Sequence, residues 1–150
     1  MFHRIMLAWD GSEVARRALG VAVDLTRRFA AELTAVAIAY SPAHAETEAD
    51  RAESAEAARR FLADSFAAVQ DRAERTGIDV ELVVVEGDPP AAALLAHAHE
   101  HGFDLIVCGQ HRRGRTGRLL LRGVPEQLVA DASVPVLVVG DANSSAAARK

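Results

Sequence analysis

The chain has a single cysteine, Cys108, so it closes no disulfide within itself, a usage that fits a reducing compartment. Lysine occurs once, at Lys150, which leaves no candidate for the Lys-Ser/Thr ending of a Walker phosphate loop. Net positive charge is missing as well. The formal charge is −4, which gives no bulk attraction to nucleic acid. No apolar run approaches the length of a membrane span. The opening residues, MFHRIMLAWDGS, lack the long apolar region and small-residue cleavage site of a secretory signal. Neither metal-ligand spacing nor a nucleophile–base pair stands out. These absences point to a cytoplasmic protein that engages neither membrane nor nucleic acid. With 150 residues and 50% of them hydrophobic, one domain with a sizeable core is expected.

What is present is an alternation of apolar runs and amphipathic stretches. Residues 5–9 (IMLAW) read as a buried strand stopped by Asp10-Gly11-Ser12, with Ser12 as a helix N-cap. Val14, Ala18, Val21, Leu25 and Phe29 then recur at helical spacing. Residues 33–40 form a second apolar strand, and 41–50 a polar connection that suits a mobile flap. A helix is expected over 51–76 through Ala58, Leu62, Phe66, Val69 and Ala73, with Gly77 as its stop. A third strand covers 80–85. Asp88 reads as the next N-cap and Pro89 as the first helical residue, leading through Leu94, Leu95 and Ala98 to Gly102. A fourth strand covers 103–108. A last helix over about 125–132 carries Leu128 and Val129 inward, and residues 136–139 make a fifth strand. Residues 141–150 are small and polar, a flexible tail to a domain spanning 1–140.

The order β-α-β-α-β-α-β-α-β implies an α/β fold: a doubly wound, three-layer α/β/α arrangement around a five-stranded parallel sheet. Strands apolar on both faces suit such a sheet. Ligands in these folds bind beyond the C-terminal strand ends, where the strand order reverses. The first strand ends at Asp10. The fourth ends at Gly109, and there the chain turns basic: Arg112, Arg113, Arg115, Arg118 and Arg122 fall within eleven residues. A strand, a glycine-rich basic loop and a helix N-terminus together make an anion site. Glycine lets backbone approach, free N–H groups point outward, and the helix dipole favours negative charge. A solvated surface loop is the competing reading.

Two segments resemble the universal stress protein family. MFHRIMLAWDGSEVARRAL is similar to its opening, where a strand ends in Asp-Gly-Ser before the first helix. GQHRRGRTGRLLLRGVPEQLVADASVPVLVV is similar to its C-terminal segment. That segment carries Gly, two residues, Gly, nine residues, Gly and Ser/Thr before a helix and a final Pro-Val-Leu-Val-Val strand. The resemblance implies an adenine nucleotide alpha-hydrolase-like fold with strand order 3-2-1-4-5, which sets strands one and four side by side. It implies an adenine nucleotide, ATP or AMP, as ligand, with Mg²⁺ only as the nucleotide's companion. Asp10 then lies by ribose and phosphates, and backbone near Ile38 by the base. Gly109 is the first motif glycine. Arg112 stands in place of the second, Arg122 of the third, and Gly123 of the Ser/Thr. An arginine adds bulk where backbone should approach phosphate, yet its guanidinium can grip phosphate bidentately. His111, Arg113 and Val124 complete the implied nucleotide-binding set. The resemblance also implies a homodimer through the last strand, Val136, Leu137, Val138 and Val139, an apolar edge otherwise exposed.

Of the remaining residues, Cys108 reads as a buried thiol and Trp9 as packing, with base stacking the alternative. His97, His99 and His101 alternate along a helix end and do not read as a metal site. Only Asp10 and His111 are candidates for supporting slow nucleotide hydrolysis. The expected function is therefore binding or regulation, not catalysis: a nucleotide-sensing stress-response domain, or a nucleotide-free dimer acting through a protein partner.

Overall fold

Each strand of this chain has to satisfy two faces, and the side-chain alternation shows how. The computed structural model describes residues 1–39, 47–111 and 123–141. In chain order these form β1 (Arg4–Ala8), α1 (Glu13–Phe29), β2 (Glu32–Ala39), α2 (Glu48–Thr76), β3 (Val80–Glu86), α3 (Pro90–Glu100), β4 (Leu105–Gly109), α4 (Val124–Asp131) and β5 (Val136–Val139). Ile5, Leu7 and Trp9 join a cluster with Leu19 and Val23 of α1 and Leu62, Phe66 and Val69 of α2. Met6 and Ala8 point the other way, into a cluster with Leu94 of α3 and Leu128 of α4. A strand's period of two thus feeds two cores, one on each face of the sheet.

The sheet is parallel throughout, in the order β3-β2-β1-β4-β5. Ile5 pairs with Leu33 of β2 on one side and Leu105 of β4 on the other. The order reverses between β1 and β4, so their C-terminal tips flank the cleft in which such sheets bind ligands.

Several element details differ from the sequence reading, each for a local reason. The buried face of α1 is Val14, Ala15, Ala18, Leu19, Ala22, Val23 and Thr26; Val21, Leu25 and Phe29 are only partly buried. Leu19 and Val23 join the core together with Ala15, Ala18 and Ala22, which turns Val21, Leu25 and Phe29 to the flank of the helix. Helix α2 starts earlier than expected because the Thr47 hydroxyl accepts from Asp50 N. Its end at Gly77, in the left-handed region at φ 70°, is as expected. Asp88 does not cap α3. Pro89 is the N-cap and Pro90, whose fixed φ suits the first turn, opens the helix. On α4, Leu128 is buried but Val129 is 59% exposed, since neighbouring helix positions lie about 100° apart. Of the flap expected over 41–50, residues 47–50 are instead the N-cap and first turn of α2, while 41–46, like 142–150 of the expected tail, lie outside the described residues. Among the described residues no helix is long and apolar enough to cross a membrane.

Candidate functional site

The tip of β1 is held as one unit by the Asp-Gly-Ser turn. Trp9 N donates to Val36 O at 2.9 Å, carrying the sheet pairing one residue past β1. The Trp9 ring is buried, and its Nε1–H donates to Ser65 Oγ of α2 at 2.9 Å. Ser65 in turn donates to Leu62 O at 2.6 Å. Trp9 is therefore an anchor for the turn, and its buried face offers no stacking surface for a base. Gly11 has φ 78°, and a Cβ there would sit 2.9 Å from Ser65 Cβ, so both conformation and space require glycine. Ser12 N donates to Asp10 Oδ1 at 2.9 Å, and the Ser12 hydroxyl accepts from Ala15 N at 3.2 Å, capping α1.

The tip of β4 comes to meet it. A Cβ on Gly109 would lie 2.7 Å from the carbonyl oxygen of Val14, in the first turn of α1. The glycine is thus needed for close approach of strand and helix, whatever else it contacts. Gln110 N donates to Val139 O at 2.8 Å, and Gln110 Nε2 donates to Glu126 Oε1 at 3.1 Å, which ties the exit of β4 to the first turn of α4. His111 Nε2 then stands 3.5 Å from Asp10 Oδ2, with side chains 17% and 6% exposed. The structure thus brings together Asp10, Gly109 and His111 from opposite ends of the sequence.

The other expected site residues fall as follows. Gly123 is the N-cap of α4 in the left-handed region at φ 76°, and as a glycine it supplies no side-chain cap. With Pro125 in the first turn, Val124 and Glu126 carry the N–H groups that this end of the helix presents. The Val124 side chain is buried among the α3–α4 cluster, so only its backbone can serve a ligand. Ile38 is likewise buried, paired with Val85 near the end of β2, and only its backbone is on offer. Arg112, Arg113 and Arg122 lie outside the described residues. Among the described residues, the imidazole and the N-terminus of α4 suit a phosphate, and the strand-tip carboxylate suits hydroxyl donors.

Cys108, one residue before Gly109, is buried. Burial, with a smaller contribution from Glu126, pushes its thiol up to about 12, so it stays protonated and unreactive near neutral pH. The alternating histidines hold a surprise: His97 and His101, four apart, do share a face and stack at 4.0 Å. Burial and then His101 hold the His97 ring below the usual imidazole range. No group of three or more metal-ligating side chains occurs among the described residues. A cavity of about 420 Å³ lies at the other end of the sheet, where Leu95, His99, Phe103, Ile106 and Val134 line it. It carries none of the strand-tip groups.

The resemblance places His111 and Asp10 in one crevice, but the pair they form is a finding of the structure. Its members are 101 positions apart, and no local pattern connects them. The Asp-Gly-Ser turn, by contrast, is a local signal for a fixed carboxylate.

A parallel sheet that reverses its order between two strand tips, with helices on both faces, defines a doubly wound α/β domain. The model of the universal stress protein family matches residues 1–140, and the chain belongs to that family. It is 34% identical over 139 residues to a universal stress protein of Thermus aquaticus, covering 93% of this chain and 99% of the relative. Among solved structures it is similar to universal stress protein UspA from Lactobacillus plantarum, with a TM-score of 0.77 at 23% identity, covering 92% of this chain and 97% of that one. It is also similar to a universal stress protein solved in complex with cAMP, with a TM-score of 0.68 at 26% identity and the same two coverages.

Proposed function

We propose that this universal stress protein is a regulatory domain that takes an adenine nucleotide, ATP, ADP or AMP, in the crevice between β1 and β4. The observation that carries the reading is the convergence of Asp10 and His111, 3.5 Å apart at the two strand tips. The N-terminus of α4, tied to the tip of β4 through Gln110 and Glu126, supports it, as does the cAMP carried by a relative of the same fold. The chain's own contribution is positioning. Asp10, fixed by Ser12 N, accepts hydrogen bonds from ribose or its hydroxyls; the first-turn N–H groups of α4 receive phosphate; backbone at Ile38 borders the base. The arginines at 112, 113 and 122 supply counter-charge from the loop, and Mg²⁺ enters only with a nucleotide. Binding changes the surface that a partner meets, and no turnover is required.

The test is thermal unfolding with and without nucleotide. At a hundredfold excess over the dissociation constant, AMP or ATP should add about 2.7 kcal/mol of stability. Asp10→Ala should abolish that gain while the protein stays folded. No stabilisation by ATP, ADP, AMP or cAMP sinks the reading.

A second reading has its own observation. Leu137 of the edge strand β5 is 37% exposed and Val129 of the neighbouring α4 is 59% exposed. These fit a homodimer paired through β5, with Val136, Leu137, Val138 and Val139 at the interface, acting through a protein partner. Val136 and Val138 turn toward the α3–α4 cluster, which makes Leu137 the residue to change. Leu137→Lys should convert the dimer to a monomer by light scattering, with the fold retained; a dimer that survives it points to another interface.

A further inference from the structure

We propose that His111 makes nucleotide binding proton-linked: the crevice holds a phosphate tightly only when this imidazole carries two protons. The inference rests on the nucleotide reading above and adds its regulation. The argument is an inventory of donors. Asp10 is acceptor-only when ionised, and its Oδ1 is already served by Ser12 N at 2.9 Å. Its Oδ2 faces His111 Nε2 at 3.5 Å. His111 Nδ1 makes no hydrogen bond to a described residue. A phosphate entering the crevice is a second acceptor.

A neutral imidazole has one N–H to give. Given to Asp10, it leaves a lone pair on Nδ1 against the phosphate; given to the phosphate, it leaves a lone pair on Nε2 against Asp10 Oδ2. Against a dianionic phosphate only the imidazolium serves both acceptors, and it offsets the repulsion between a carboxylate and a phosphate in a partly buried cleft. The other charged groups on the surrounding elements do not replace it. Glu13 and Arg17 lie in the first turns of α1, and Arg17 Nε donates to Gly140 O. Glu126 on α4 is a carboxylate, engaged by Gln110. Asp141 follows β5 and is negative as well. The arginines of the 112–122 stretch add a charge that does not change over the relevant range, whereas imidazole is the side chain that changes charge between about pH 5 and 8.

The test is AMP affinity by calorimetry for the wild-type protein and His111→Gln, at about pH 5.5 and pH 8. AMP's own phosphate titrates in this range and does so equally for both proteins, so the difference between them is the readout. Wild type should tighten roughly tenfold more than His111→Gln as the pH falls, with more proton uptake on binding than the variant, averaging about 0.4 proton over that range. AMP binding with the same pH dependence in both proteins, or tighter binding at high pH, overturns the proton link and leaves the nucleotide reading standing. No AMP binding by wild type at either pH overturns both.

Discussion

Trp9→Ala is expected to lower the stability of this domain by about 3–5 kcal/mol, the range for truncating a buried indole. The ring is 1% exposed, it sits among Leu7, Leu62 and Phe66, and its Nε1–H is held by Ser65. Trp9→Phe keeps most of the apolar volume and loses the hydrogen bond, so its cost should be nearer 1 kcal/mol. The two variants separate packing from polar anchoring. Because this is the chain's one tryptophan, unfolding should be followed by far-UV circular dichroism, in urea or on heating. For a domain this size, the alanine variant should melt roughly 10 °C below wild type. A melting temperature within a degree or two of wild type means that the indole does not anchor the β1 tip. The Ala variant should also lose nucleotide affinity beyond its stability cost, since the turn that fixes Asp10 rests on the same Ser65. The Phe variant should bind nearly normally.

The elements were legible where burial alone selects them. Residues 136–139 were placed as a strand from their apolar run, and β5 has those bounds. Gly77 announced the end of α2 because a left-handed cap favours glycine. The buried face of α1 is only partly legible: Val14 and Ala18 lie on it as expected, but it continues through Ala15, Leu19, Ala22 and Val23, and Val21, Leu25 and Phe29 are only partly buried. Strand order was not legible from patterning either. Apolar strands look alike until their neighbours are known, and 3-2-1-4-5 entered through family resemblance before the sheet bore it out. Within the site, Asp10 could be read from its turn. Its partner His111 could not, since that contact depends on two strands pairing across most of the chain. The sequence marks Gly109 as a phosphate-loop glycine, and its geometry adds a packing reason that no sequence pattern expresses.

That packing reason makes Gly109→Ala the most informative change at the β4 tip. The new methyl would fall 2.7 Å from Val14 O and 2.8 Å from Val14 C. Both are backbone atoms in the capped first turn of a helix, with no flexible side chain to swing aside. Relief requires α1 or the end of β4 to move, at an expected cost of about 2–3 kcal/mol, the upper part of the range for overpacking. Gly20→Ala provides the contrast within the same helix. There the nearest atom is Arg72 Nη2 at 3.2 Å, the far end of a flexible side chain, and the backbone is helical. Alanine at 20 should therefore be neutral or stabilising by up to about 1 kcal/mol. Displacing the first turn of α1 also displaces Ser12, whose N–H fixes Asp10. Gly109→Ala should thus weaken AMP binding at temperatures where the variant is still folded, and Gly20→Ala should not. If both variants melt with wild type and bind AMP equally, the close approach of α1 to β4 is not what the glycine serves, and its role reduces to the loop that follows it.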